Sequence, residues 1–342
     1  MEINIIPGEK LTIKLWETLT EKGIGSLLRP WQMRREGRAA IDIRCEEIVR
    51  LAQAERDAEA ITRGEYRLEN GSGPKLIPCN EIGTESGTRP ASPLASDATL
   101  AEIAQQVNVA DTIRREVNVA KAILHAEAEL ESDPQEPPAE KIDDDWLFRW
   151  RDNASQVSSE ELQSLWGRLL AGELKQPGSF SLRTLEFIRH LSQEDARKIE
   201  KIAPFVVNES IIVRLDDDVL TAQEISFSFL LELQEMGILS SVDSIGVQTD
   251  YRSASPDKFL KALVSFKKML LVENDDKDKI LSIAVNAVTN VGRQIMQLGK
   301  FSANEAYLRS AGAKIKDMGY EVMLADCISV PPNVRYYNGV KL

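Results

Sequence analysis

Residues 146–205 read as four helices with very little chain between them, and that stretch limits what the rest of the protein can build. Trp146, Leu147, Trp150 and Ala154 recur at helical spacing, which predicts a first helix over about 145–156. Ser158 or Ser159 caps the next helix, and Glu161 stands at capping-box distance from Ser158. Leu162, Leu165, Trp166, Leu169 and Leu170 give that helix a wide apolar stripe. Gly172 marks its end or a close helix contact. Pro177 and Gly178 force a turn, and Ser179 or Ser181 caps a third helix carrying Leu182, Leu185, Ile188 and Leu191. A fourth starts near Ser192, where Asp195 completes another box, and runs through Ile199 and Ile202 to Pro204. Short connections make neighbouring helices antiparallel, so 146–205 is expected as a compact central four-helix unit.

The flanking sequence extends this into a mainly α fold with three parts. In 1–130 a short helix around Leu11, Leu15, Trp16 and Leu19 precedes two Ala-rich helices, at about 38–63 and 98–130. Their Ile, Leu, Val and Ala seams are narrow, which favours pairing into a long N-terminal helical arm or hairpin. The segment between them, 64–97, is dense in Gly, Pro, Ser and Thr and reads as a flexible connection. Its GSGPK lacks the spacing and the Lys-Ser/Thr pair of a phosphate loop. Residues 131–145, ESDPQEPPAEKIDDD, form an acidic proline-rich linker and the clearest domain boundary. Asp143, Asp144 and Asp145 fit helix capping and first-turn charge better than a metal cluster. His125, among alanines, reads as a packing residue.

The remainder, 206–342, is expected as an α+β module. A β-branched run over 206–215 and a helix over 222–236 are followed by strands at 268–273 and 279–286 flanking ENDDKDK. A helix from VTNVGRQIMQLG comes next. A last helix at about 302–318, the strand YEVMLADCISV and a tail or edge strand PPNVRYYNGVKL close the chain. The order resembles a winged helix. Lys258, Lys261, Lys267 and Lys268 supply positive charge there, while Asp275, Asp276 and Asp278 oppose DNA.

Charge and residue usage narrow the function. A net charge of −12 opposes broad phosphate-backbone binding, so nucleic acid is a possible partner and not the favoured one. Cys45, Cys79 and Cys327 lie far apart without ligand spacing and point to a reducing, cytoplasmic compartment. Two histidines, His125 and His190, exclude a histidine-rich metal centre. No signal peptide and no apolar run of membrane-spanning length is present. Residues 24–38 mix Leu27, Leu28, Trp31 and Met33 with four arginines. Docking on the chain itself or on a partner subunit is preferred there over peripheral membrane contact or a nucleic-acid contact. No cofactor, metal ligand set or catalytic residue is assigned.

One polar constellation stands out, around the PGSFS loop. Glu173, Ser179, Ser181, Arg183 and Thr184 are its polar members, with Trp166 and Phe180 as apolar walls. Arg183 is expected to hold Glu173 through two parallel hydrogen bonds across the turn. Glu173 and Lys175 mimic a nuclease Glu-x-Lys pair but follow a helix and face a turn, not a sheet edge. No GxSxG elbow accompanies the serines.

The run SSEELQSLWGRLLAGELKQPGSFSLRTLEFIRHLS resembles the bacterial domain-of-unknown-function family numbered 2806. The likeness is strongest over 135–240, through Leu162, Trp166, Leu169, Gly172, Glu173, Pro177, Gly178, Ser179, Ser181, Leu182 and Leu185. It implies a bacterial or prophage-borne protein, with phage-conflict biology as an associated setting, and brings no activity with it. The resulting expectation is a non-enzymatic interaction or regulatory protein that self-associates through its helical arm. The alternative is a metal-dependent nucleic-acid hydrolase or nucleic-acid-binding protein.

Overall fold

The computed structural model describes residues 8–25, 40–70, 74–78, 97–131, 133–215, 220, 224–243, 247–330 and 333–342. The chain divides into two compact units, Met1–Leu185 and Glu186–Leu342.

The first unit is helical. Helix α1 (Glu9–Glu21) buries Leu11, Leu15, Trp16 and Leu19, the side that its 3.6-residue spacing brings together. Helices α2 (Ala40–Thr62) and α3 (Asp97–Leu130) are the two Ala-rich segments. They pair antiparallel: Lys121 reaches Glu55 at 2.8 Å, while Ala58 and Ile61 pack on Ala110. Between them the expected flexible connection contains a short antiparallel hairpin, β1 (Tyr66–Asn70) and β2 (Pro74–Pro78), with Leu68 opposite Leu76. Strand β2 begins at Pro74 and ends at Pro78. Each stands at a strand end, where the missing N–H costs the ladder least.

Helix α3 does not stop at the arm. Its C-terminal half packs on α5 (Glu160–Lys175), which follows α4 (Asp144–Ser155). Gly167 makes the closest approach, since a Cβ there would lie 2.6 Å from His125 Cβ and 2.8 Å from the Ala122 carbonyl oxygen. Buried amides pin this interface: Gln163 donates to Asn118 Oδ1 (3.2 Å) and to Val157 O (3.0 Å), and Asn118 donates to Ser155 O (2.9 Å). The segment expected as a linker, 131–145, runs along α1. Lys10 meets Glu136 (2.6 Å), Lys14 reaches the carbonyls of Pro138 and Glu140, and Lys22 meets Asp144 (2.6 Å). Arm, linker and the first half of the expected central bundle are therefore one unit, divided from the rest at 185/186 and not at 131–145.

The second unit begins inside α6 (Leu182–Arg189), and α7 (Gln193–Ile202) carries the predicted Ser192–Asp195 capping box. After β3 (Ile211–Val213) come α8 (Phe227–Glu235) and β4 (Leu239–Ser240). Strands β5 (Val247–Tyr251), β6 (Phe259–Ser265), β7 (Lys268–Asn274) and β8 (Leu281–Val288) follow. Helices α9 (Asn290–Gln297) and α10 (Glu305–Asp317) then lead to β9 (Glu321–Val330) and β10 (Asn333–Lys341).

The strands form two antiparallel sheets, β3–β8–β4 with β5 also on β8, and β10–β9–β7–β6. Helix α8 leads into β4 of the first sheet, and the order of elements that resembled a winged helix is broken at ENDDKDK. The strands flanking ENDDKDK are not a hairpin, as their spacing suggested. They are β7 and β8, and they belong to different sheets, because β7 pairs with the unforeseen β6. Helix α10 buries Tyr307, Leu308, Ala311 and Ile315, and the Tyr307 hydroxyl accepts from Val213 N (2.7 Å) and donates to Val213 O (3.2 Å). Of the four lysines set against DNA in the sequence, Lys267 is exposed and the other three are engaged. Lys258 pairs with Glu273 (2.6 Å), Lys268 with Asp326 (2.8 Å) and Glu305 (3.2 Å), and Lys261 lies over the Tyr251 ring. Helix α8 reads FSFLLELQE and carries no basic residue.

Candidate functional site

The end of α5 and the start of α6 bring the PGSFS constellation together. Helix α5 starts at Ser159, whose hydroxyl accepts from Leu162 N, so the cap falls one residue after the Ser158–Glu161 box. The helix passes through Gly172 without stopping. A Cβ at Gly172 would lie 2.7 Å from the Phe180 ring, so the glycine exists to seat that ring against the helix. Gly178 then takes φ +82°, the left-handed region that favours glycine. Ser181 caps α6: its hydroxyl accepts from Thr184 N (3.3 Å) and lies 3.1 Å from Thr184 Oγ1.

Glu173 sits at the centre, 1 % exposed. Its Oε1 accepts Gly178 N–H at 2.6 Å, and its Oε2 accepts Phe180 N–H at 3.0 Å and the Ser179 hydroxyl at 3.3 Å. The carboxylate thus takes up backbone donors that the turn leaves without helical partners. Burial pushes its pKa up from the ordinary carboxylate value, and Asp143 adds to the rise. The two N–H groups and the Ser179 hydroxyl pull the other way.

One expectation fails here. Arg183 does not pair with Glu173: the carboxylate is filled by Gly178, Ser179 and Phe180, while Arg183 lies exposed on the first turn of α6. The expectation followed the chain reversal but overlooked that the turn's own amides stand closer to the carboxylate. Lys175 is likewise turned away, to Asp133 Oδ2 at 3.1 Å, so no Glu-x-Lys pair forms. Trp166 is core, as its place on the Leu162–Leu169 stripe implied. It is 1 % exposed, and its carbonyl accepts from Trp150 Nε1 at 2.8 Å. Thr184 is fully buried. Phe180 and Gly172 lock the loop, and their shared fit has no signature in local spacing.

Among the described residues no group of three or more His, Cys, Asp or Glu is placed to hold a metal ion. Asp143 caps α4 by accepting from Trp146 N (2.9 Å), the structural role preferred for it. The arginine-rich 26–39 lies outside the described residues. No described helix is long and apolar enough to cross a membrane.

The loop and its two helices fall inside the match to a family model described as "Protein of unknown function (DUF2806)", which spans residues 103–311, more than half of the chain. The chain belongs to this bacterial family. No curated protein and no solved structure matched it. The family region takes in most of α3, the Glu173 turn and the C-terminal unit as far as α10. In this DUF2806 member Glu173 is a turn lock: its hydrogen bonds go to two backbone N–H groups and a hydroxyl of its own loop.

Proposed function

We propose that this protein is a non-catalytic interaction or regulatory protein that self-associates through the α2–α3 hairpin. One surface carries the reading. Between α2 and α3 runs a groove of about 480 Å³, with Ala58, Thr62, Val107 and Ala110 along it and Glu55, Glu59, Asp111 and Arg114 around it. Val107 is 47 % exposed there, and Val49, on the same hairpin, is 67 % exposed. Small side chains between two helices admit a third helix closely, and mixed charges at the rim suit a second copy of the same hairpin. Val107 and Val49 stand exposed, and antiparallel packing of two hairpins into a four-helix bundle would cover them. Action against phage or other mobile elements is the setting this reading takes from the family resemblance.

The test is the assembly number of the full-length chain by light scattering, for the parent and for Val107→Glu. The reading expects a smaller assembly for the variant with an unchanged melting curve. An unchanged assembly number refutes it. Deleting the arm is not a usable test, because α3 supplies Ala122 and Ala126 to the Gly167 contact and its loss would open the core of the unit.

A further inference from the structure

The larger C-terminal sheet has two edges, and the chain treats them differently. Edge β6 is closed by its own neighbours. Ser253 Oγ accepts Leu260 N–H (3.1 Å) and Ala254 N–H donates to Leu260 O (2.9 Å). Asn208 closes the other end, accepting from Val264 N (2.8 Å) and donating to Val264 O (2.6 Å). Among the described residues nothing of this kind meets the outer side of β10, whose ladder is made with β9 alone. Residues 335–340 are exposed on both faces of the strand, with Tyr336 at 51 % and Tyr337 at 49 %. Val340 and, on β9, Ile328 are exposed to a similar degree. An open edge carrying large apolar side chains is a template for another strand, and soluble proteins ordinarily blunt it with charge, proline or cover.

We propose that β10 pairs antiparallel, about a two-fold axis, with β10 of a second copy of this chain. The side chains select that occupant. A two-fold axis at Tyr336 sets Tyr336 opposite Tyr336 of the partner subunit. It also sets Arg335 opposite Tyr337 of the partner subunit, twice by symmetry. Aromatic pairs and a cation over an aromatic ring are both favourable across strands. Arg335 makes no ion pair with a described residue, so this contact gives it a partner. A two-fold axis at Arg335 would oppose two guanidinium groups and is disfavoured. The bulge between Tyr337 and Val340, with Asn338 at φ +53°, ends the regular stretch, so the ladder across the axis is short and centres on residues 335–337. A second β10 brings a ring opposite both Arg335 and Tyr336.

This contact is separate from the hairpin contact proposed above and goes beyond it. A chain with two different two-fold contacts does not stop at a dimer: it closes into a higher assembly or runs into an open fibre. The experiment uses the full chain in two arms. In the first, sedimentation compares the parent, Tyr336→Lys and Tyr336→Phe. The lysine variant is expected to halve the assembly number and the phenylalanine variant to keep it. In the second, hydrogen exchange follows β10 of the parent in dilute and concentrated solution, which needs no variant to fold. Slower exchange of β10 in the concentrated sample is expected, and it should persist in Val107→Glu, which separates this contact from the hairpin. An unchanged assembly number for Tyr336→Lys, or β10 exchange independent of concentration, overturns the proposal.

Discussion

Replacing Glu173 by glutamine tests whether the PGSFS turn is held by a carboxylate for structural reasons. Both carboxylate oxygens receive a backbone N–H, from Gly178 at 2.6 Å and from Phe180 at 3.0 Å. A glutamine has one oxygen, so its NH2 must face one of these donors. That leaves a buried N–H without an acceptor, a loss of about 1–3 kcal/mol, and weakens the other bond from charge-assisted to neutral. Part of the loss is offset because the buried charge itself was unfavourable, as the raised pKa records. The net expectation is a destabilisation of about 1–3 kcal/mol for Glu173→Gln. Glu173→Ala, which removes every acceptor and leaves a cavity, should cost about 3–5 kcal/mol.

The sign with pH is fixed as well. The folded pKa of Glu173 lies above its unfolded value, so the folded chain binds the proton more readily between the two. The stability this contributes is fully present below the unfolded pKa and is lost as pH rises through the folded one. The gap between parent and Glu173→Gln in urea unfolding should therefore widen in the parent's favour as pH falls from neutral toward about 4.5. If both Glu173 variants melt within about 0.5 kcal/mol of the parent, the scale of an ordinary surface change, the turn-lock account is wrong.

Three further substitutions check the same frame. Trp166→Ala should cost about 3–5 kcal/mol in urea unfolding, because the side chain is fully enclosed; a loss under about 1 kcal/mol contradicts its core role. Arg183→Leu should stay within about 0.5 kcal/mol of the parent, since the guanidinium is exposed and away from Glu173; a loss of 2 kcal/mol or more by the same measurement would restore the ion-pair reading. Gly167→Ala gains about 1 kcal/mol of helix propensity but drives a Cβ into the α3 backbone, so a net loss of about 1–3 kcal/mol is expected, and a more stable variant on thermal unfolding would refute the close α3–α5 contact.

Helices were legible where one face is apolar and the ends are capped. The Ser192–Asp195 box and the buried Trp166 and Leu169 come from local periodicity and stand in the structure, while Leu162 of the same stripe is only half-buried. Partners across long sequence separations were not legible. Nothing near Gly167 says that it faces Ala122 and Ala126, so α3 looked like a detached arm. The acidic, proline-rich 131–145 has the composition of a linker, yet its carboxylates and carbonyls answer the lysines of α1 more than 110 residues away. Strand β6 escaped because FLKALVS also suits a helix. Its pairing with β7, not its own composition, fixes the extended form. At the site, the polar residues were found but their pairing was not. Backbone amides of the turn compete with Arg183 for Glu173, and a sequence shows side chains more readily than it shows amides.

The central claim is self-association through the α2–α3 hairpin, and hydrogen exchange of full-length protein across a dilution series tests it most directly. The account predicts that amides around Val107 and Ala110, and opposite them around Ala58, exchange more slowly in concentrated solution, and that Val107→Glu removes this difference. Exchange on the hairpin that stays the same at every concentration, in a parent that sediments as a monomer, would contradict it.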